Sequence, residues 1–354
     1  MVCFEQLALV TFNTIESHQQ TRLRVPGFEL YLPGFELFHS FEVISVALLV
    51  CCLSMSENNK VFFIINKYSG ASYRPEVEGR IITACGQLNL ECAIEFTQER
   101  GHATDLARRA VEQNFRTVFA VGGDGTVNEV AKGIVNTRAT MGILPKGSGN
   151  GLARHLSIPM GLMKSLAMLS ANQTITMDTV LVNGQLSVNV AGIGFDGHVA
   201  GLFGKNGKRG LIGYGRLVIK EFRSFKEFPV DMNVDGQPLR RSVFILALAN
   251  SSQFGNNARV APHASVCDQR VDVCLIKKVP VTQAAGFVQK MFSGTMDRSA
   301  FVEIIQAKKI ELQFDKTMAY HIDGESMEPQ SRFSIEVQPK SLKMLVPEGV
   351  NAQV

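Results

Sequence analysis

From residue 60 onward the chain alternates short, nearly continuous apolar runs with segments of helical period. The runs 61–66 (VFFIIN), 91–96 (ECAIEF), 117–121 (TVFAV) and 141–144 (MGIL) have the length and character of strands buried on both faces. Between them, Leu106, Ala110 and Val111 fall on one helical face, and Val127, Val130, Ala131, Ile134 and Val135 repeat the spacing i, i+3, i+4, i+7, i+8. This alternation predicts a parallel sheet with crossover helices, an α/β domain over about 56–180. After about Asp178 the texture turns β-rich, with runs at 186–190, 230–234, 242–249, 271–276, 309–314 and 333–337. The pairs Asn183-Gly184, Asp235-Gly236 and Asp323-Gly324 are turn signals between them. A second domain over 181–354, an antiparallel sandwich or barrel, is therefore expected. It carries helical inserts near 211–225 and 281–292, and its last strand is free to return to the first domain.

The first 55 residues read differently. They hold PGFEL twice, at 26–30 and 33–37, and an apolar run at 43–53. That run is too short to cross a bilayer as a helix, and it lacks the basic flank of a secretory signal. Met55 is the expected natural start, with the preceding stretch a disordered extension or no part of the natural protein.

Composition narrows the class only modestly. A chain of 354 residues, 45% hydrophobic and 19% charged, suits two packed domains and not a disordered chain. The net charge of +4 suits phosphate ligands or an anionic membrane without selecting either, and no nucleic-acid partner is expected. Seven cysteines form no CxxC pair and no zinc spacing with histidine, which points to reduced thiols in a cytosolic protein.

The chemistry concentrates at glycine-dense loops. In FAVGGDGTVNEV (119–130) a buried strand runs into Gly122, Gly123, Asp124, Gly125 and Thr126 and then directly into an amphipathic helix. Glycines let backbone approach a ligand closely, and a helix start offers unpaired N–H groups to an anion. The segment is a candidate phosphate cradle, although not a Walker A loop, and the plain alternative is a βα turn capped by Asp124 or Thr126. A second such loop, LPKGSGNGLAR (144–154), comes after the next strand, with Ser148 placed to donate a hydrogen bond to a phosphate oxygen. Both loops lie at carboxyl ends of parallel strands and would face one crevice. A third match, GIGFDG (192–197), fits GxGxxG but lies in the β-rich half. The residues after it, 201–213, are basic and Gly-rich, unlike a clean crossover helix, so a dinucleotide site is not expected there.

Taken in order, GGDGTVNEV (122–130), 145–154, NVAGIGFD (189–196) and IDGE (322–325) resemble the diacylglycerol-kinase catalytic family, which includes bacterial lipid kinases, sphingosine kinases and ceramide kinases. The resemblance runs from about Lys60 to the C-terminus. It implies a Rossmann-like nucleotide domain of NAD kinase and phosphofructokinase type followed by a β-sandwich-like domain. It also implies an ATP-dependent, Mg²⁺-requiring lipid kinase acting on diacylglycerol or a sphingoid base. Nucleotide contacts would come from Asn66, Lys67 (where proline is more usual), Tyr68, Ser69 and Gly70, from Thr97, from Gly122, Gly123, Asp124, Gly125, Thr126, Val127 and Asn128, and from Ser148. The general base would be Glu325 or Asp323, with Asp124 a third candidate, while Asp323-Gly324 also reads as a simple hairpin turn.

A structural Mg²⁺ is implied at Asp268, with main-chain oxygens of Ser265 and Arg270, although Gln269 replaces the usual glycine. A cytoplasmic protein in peripheral contact with its membrane substrate is expected, and a homodimer is allowed. The basic residues Lys205, Lys208, Arg209, Arg216, Lys220, Arg223 and Lys226, interleaved with apolar ones, either meet the membrane or form a solvated helix face. The alternatives are an NAD kinase and a non-catalytic lipid- or nucleotide-binding protein.

Overall fold

The computed structural model describes residues 60–350 other than 71–73, 171–172, 206–217 and 219, together with three strands before them. Those strands, β1 (Thr11–Thr14), β2 (Gln20–Val25) and β3 (Phe28–Pro33), form an antiparallel meander within a first unit, Met1–Asn58, where an irregular extension was expected. The apolar run 43–53 and Met55 lie outside the described residues.

The second unit, Asn59–Val354, opens with the anticipated alternation. In order come β4 (Lys60–Ile65), α1 (Glu76–Gln87), β5 (Glu91–Phe96), α2 (His102–Glu112), β6 (Thr117–Gly122), α3 (Asp124–Ile134) and β7 (Thr140–Pro145). The four strands are parallel in the order β5-β4-β6-β7. Phe63, Ile64, Phe119 and Ile143 are almost wholly buried, each such side chain contributing about 1.5–3 kcal/mol of apolar burial. Ala103, Leu106, Ala107 and Ala110 of α2 and Val127, Val130, Ala131 and Ile134 of α3 are buried, and Val111 and Val135, which the spacing placed on the same faces, are half-buried at their margins. The two helices nearly touch at Gly133, where an added Cβ would lie 2.5 Å from that of Ala107.

The second half continues through α4 (Gly151–His155), α5 (Leu162–Leu166), β8 (Thr174–Val182), β9 (Gln185–Ser187), β10 (Val190–Gly194) and α6 (Phe195–Lys205). Then come β11 (Phe228–Val234), β12 (Gln237–Val243), β13 (Ile245–Ala249), β14 (Val271–Ile276), α7 (Ala284–Ser293), β15 (Val302–Ala307), β16 (Lys309–Ile322) and β17 (Glu325–Leu345). Strand β17 pairs antiparallel with β16 and β8, and its end pairs parallel with β7 at Lys343↔Thr140. The chain end therefore closes on the nucleotide-type half, and one mixed sheet runs through the unit. The expected boundary at 180 falls inside β8.

Three differences from the sequence-based expectation have local causes. The run 242–249 splits at Phe244, whose N–H leaves for the Ile276 carbonyl while its ring packs on Phe195, Phe222 and Phe225. Most of the helix expected at 211–225 lies outside the described residues, whereas α6 forms where no clean helix was expected. Its glycines are what let it pack: a Cβ on Gly197 would sit 2.5 Å from Tyr320 Cα on β16. Strand β15 was not anticipated, because its exposed edge weakens the apolar signal.

Asp178 of β8 fastens two distant segments. Its buried carboxylate accepts from the N–H groups of Gln269 (2.6 Å) and Lys340 (2.7 Å), both in left-handed conformations at φ +63° and +51°. Asp178→Ala should lower unfolding stability by about 1–3 kcal/mol, the usual cost of leaving such groups unpaired, with an unchanged denaturant m-value. A urea titration showing a loss below about 0.5 kcal/mol would mean that water replaces the carboxylate.

Candidate active site

The carboxyl ends of β4, β6 and β7 bring three turns into backbone contact. After β4, Asn66 accepts the Tyr68 N–H (2.9 Å) and donates to Thr126 Oγ1 (3.1 Å), which joins the first turn to α3. After β7, Lys146 sends its ammonium back into the first turn, donating to the carbonyls of Ser69 (2.6 Å) and Lys67 (3.3 Å). Burial lowers the Lys146 pKa. A Cβ on Gly70 (φ +66°) would fall 1.8 Å from the Lys146 carbonyl, and one on Gly147 would fall 2.5 Å from Gly123 Cα. Glycine is thus demanded where the turns meet, and the start of α3 opens beside them.

Asp124, the first residue of α3, ties the β6 and β7 turns together. Its carboxylate accepts the N–H groups of Asn150 (2.9 Å) and Gly151 (2.7 Å). Burial pushes this carboxyl up to about 6 against the pull of those two donors, and nearby Asp323 adds a smaller upward push. Each oxygen keeps a second lone pair for a cation or a donor.

Asp323 sits in the hairpin turn that the sequence offered as its alternative to a base. At the β16–β17 turn (φ +49°, Gly324 +86°) it is buried, and its oxygens accept from Ser187 Oγ (2.7 Å), Asn189 N (3.1 Å), Asn128 Nδ2 (2.7 Å) and Val188 N (2.9 Å). Burial raises its pKa, and the four donors oppose that rise. A carboxylate so enclosed is a clamp and offers no lone pair to a substrate hydroxyl. Glu325, two residues on, is 26% exposed, with Oε2 3.0 Å from an Arg100 guanidinium nitrogen. Its Oε1 faces the first turn of α3, 3.6 Å from where a Cβ on Gly125 would stand.

The remaining candidates divide between rim and interior. Tyr68 and Ser148 are exposed beside the turns, Lys67 Nζ lies 3.7 Å over the Phe96 ring, and Thr97 is buried at the end of β5. Val127 and Asn128 point away from the cradle: Val127 is in the core, and Asn128 spans from Asp323 to the Leu186 carbonyl (2.9 Å).

Asp268 forms its own turn, accepting Arg270 N (2.9 Å), and desolvation raises its pKa, with Asp178 adding to the rise. Among the described residues no three His, Cys, Asp or Glu side chains gather as a metal set. A hard cation held here would lean on main-chain oxygens such as those of Ser265 and Arg270, a donor chemistry that Mg²⁺ or Ca²⁺ accepts.

Sequence reasoning missed Arg100 and the role of Glu129. The Glu129 carboxylate accepts Gly101 N (2.9 Å) and Ala103 N (3.1 Å), capping α2 and so holding the Arg100 turn. Arg100 was readable as a cation three residues beyond Thr97, at a strand's carboxyl end.

Residues 60–182 match the family described as the diacylglycerol kinase catalytic domain, and 189–346 match the YegS C-terminal NAD kinase beta sandwich-like domain. The chain is 27% identical over 280 residues to a probable lipid kinase YegS-like of Chromohalobacter salexigens, covering 77% of this chain and 88% of that relative. It is 24% identical over 267 residues to a diacylglycerol kinase of Bacillus subtilis, covering 74% and 88%. A crystal structure of a diacylglycerol kinase from Bacillus anthracis superposes with a TM-score of 0.64 at 20% identity, over 83% of this chain and 98% of that one, a likeness of fold.

Because its folded-state pKa is raised from 3.8 to about 6, Asp124 contributes stability that is fully present below about 3.8 and lost as pH rises through about 6. The melting temperature of the wild-type protein minus that of Asp124→Asn should therefore be larger at pH 4 than at pH 7. An equal difference at both pH values would show that the carboxyl titrates normally.

Proposed function

Because the chain belongs to the lipid kinases built on a diacylglycerol kinase catalytic domain, we propose that it transfers the γ-phosphoryl group of ATP to a lipid hydroxyl, diacylglycerol first and a sphingoid base second. The observation that carries this reading is the position of Glu325: a partly exposed carboxylate facing the first turn of α3, across from glycine-only backbone at three strand ends.

The N–H groups at the start of α3 and the turns around Gly123 and Gly147 would receive the polyphosphate, which the helix terminus favours electrostatically. Lys146 fixes the first turn against the third and keeps that cradle in shape. Arg100 pairs with one oxygen of Glu325 and orients the other toward the reacting hydroxyl. Glu325 takes the hydroxyl proton as the lipid oxygen bonds to the γ-phosphorus, and the bond to the ADP oxygen breaks. A Mg²⁺ ion bound with ATP would supply charge neutralisation on the transferring group, and Asp124, with its spare lone pairs, would be the carboxylate to hold it.

Among the described residues no helix is long and apolar enough to cross a membrane. Reaching a lipid substrate then requires surface contact, for which the basic run from Lys205 to Lys226 is the candidate. Of that run, Lys220, Arg223 and Lys226 are exposed and Lys205 ends α6, while Lys208, Arg209 and Arg216 lie outside the described residues.

The protein is to be incubated with γ-labelled ATP, Mg²⁺ and, separately, NAD, diacylglycerol, sphingosine and ceramide in detergent micelles. Label should appear in a lipid; label in NAD alone, or in nothing despite ATP binding, contradicts the proposal. Glu325→Gln should reduce kcat roughly 10²- to 10⁴-fold, the usual worth of a general base, while KM for ATP and the melting temperature hold. Asp323→Asn should lower activity and melting temperature together, as loss of a clamp would.

A further inference from the structure

The GxGxxG segment of β10 and α6 has a use of its own. Gly192 of β10 lies directly across the ladder from His321 of β16. A Cβ at Gly192 would stand 1.8 Å from Asp196 Oδ2 and 2.7 Å from His321 Nε2. The missing side chain is what makes room for these two groups to meet, 3.4 Å apart and almost wholly buried.

Each member of the pair is already committed on its other side. Asp196 Oδ1 accepts Gly197 N (2.9 Å), while Oδ2 has no hydrogen-bond partner and faces the imidazole. His321 Nδ1 accepts the N–H of Gly324 (3.2 Å), inside the Asp323-Gly324-Glu325 turn. A ring nitrogen that accepts carries no proton, so in the neutral ring the hydrogen sits on Nε2, the atom that faces Asp196.

We propose that Asp196 and His321 are positioning residues for phosphoryl transfer: Asp196 fixes the ring of His321, and His321 holds the turn that presents Glu325. The Asp323 clamp grips this turn from the α3 and β9–β10 side, and His321 grips it from within β16. Two independent holds leave Glu325 little freedom to swing away from the first turn of α3. The inference rests on Glu325 being the base and extends it to residues that touch neither nucleotide nor lipid.

Two replacements of His321 separate its two nitrogens. Asn places an acceptor where Nδ1 stood, whereas Gln reaches toward Asp196 and leaves Gly324 N–H without its partner. With whichever of diacylglycerol, sphingosine and ceramide takes the most label, His321→Gln should lower kcat about tenfold, the worth of one hydrogen bond in this part-buried turn, at unchanged KM for ATP. His321→Asn should recover most of that loss. Equal kcat in the Asn and Gln variants, or a kcat loss in both that tracks a common fall in melting temperature, would overturn the proposal.

A second measurement needs no turnover: ¹⁵N NMR of histidine-labelled wild-type protein, with His321 assigned by its absence from His321→Asn. It should show a neutral ring protonated at Nε2, and an Nδ1-protonated ring contradicts the inference. Glu325→Gln in the same assay separates the two levels. Wild-type turnover there removes the base assignment itself, whereas an inactive Glu325→Gln beside a fully active His321→Gln removes only the positioning pair.

Discussion

The buried carboxylate of Asp323 is the interaction on which the site depends. A carboxylate removed from water is costly unless its lone pairs are met, and here donors come from α3, from the end of β9 and from the chain entering β10. Those donors belong to the nucleotide-type half and the β-rich half alike. Satisfying one charge therefore fixes α3, which starts at Asp124, relative to the hairpin that carries Glu325. Loss of any one donor leaves a charged oxygen underpaired, which makes the junction stiff and intolerant of partial solutions.

Around that junction the chain economises on side chains. Gly70, Gly123 and Gly147 let three turns touch through their backbones, and Gly192 vacates space for Asp196 and His321. The same residue type serves opposite ends: in the first group it lets backbones approach one another, and in the second it admits a buried acid–imidazole pair. A glycine pattern alone does not say which.

This limits what a sequence discloses. The parallel strands, both faces of α2 and α3 and the three Asx-Gly turns were legible, because burial on two faces and left-handed turns leave strong local signals. The strand-to-helix turn at Gly122 to Thr126 was legible for the same reason, since its glycines sit where β6 gives way to α3. The enclosure of Asp323 and the inward direction of the Val127 and Asn128 side chains were not. Whether an acid in a turn faces solvent or is enclosed depends on Ser187 and Asn128, which are 136 and 195 residues away in the chain. The pairing of Arg100 with Glu325 crosses 225 residues and leaves no local trace. Strand β17, at 21 residues, was seen only in its apolar stretch, because its remaining positions alternate with exposed ones.

The division of labour between the two acids of the late turn can be read by chemical rescue. In Glu325→Ala the carboxylate is removed from an open position, so added formate can occupy the gap and take the hydroxyl proton. Lipid phosphorylation by Glu325→Ala should rise with formate concentration, while Asp323→Ala, whose lost carboxylate was sealed among four donors and served as a clamp, should not respond. Rescue of Asp323→Ala with no effect on Glu325→Ala would reverse the assignment and make the buried acid the base.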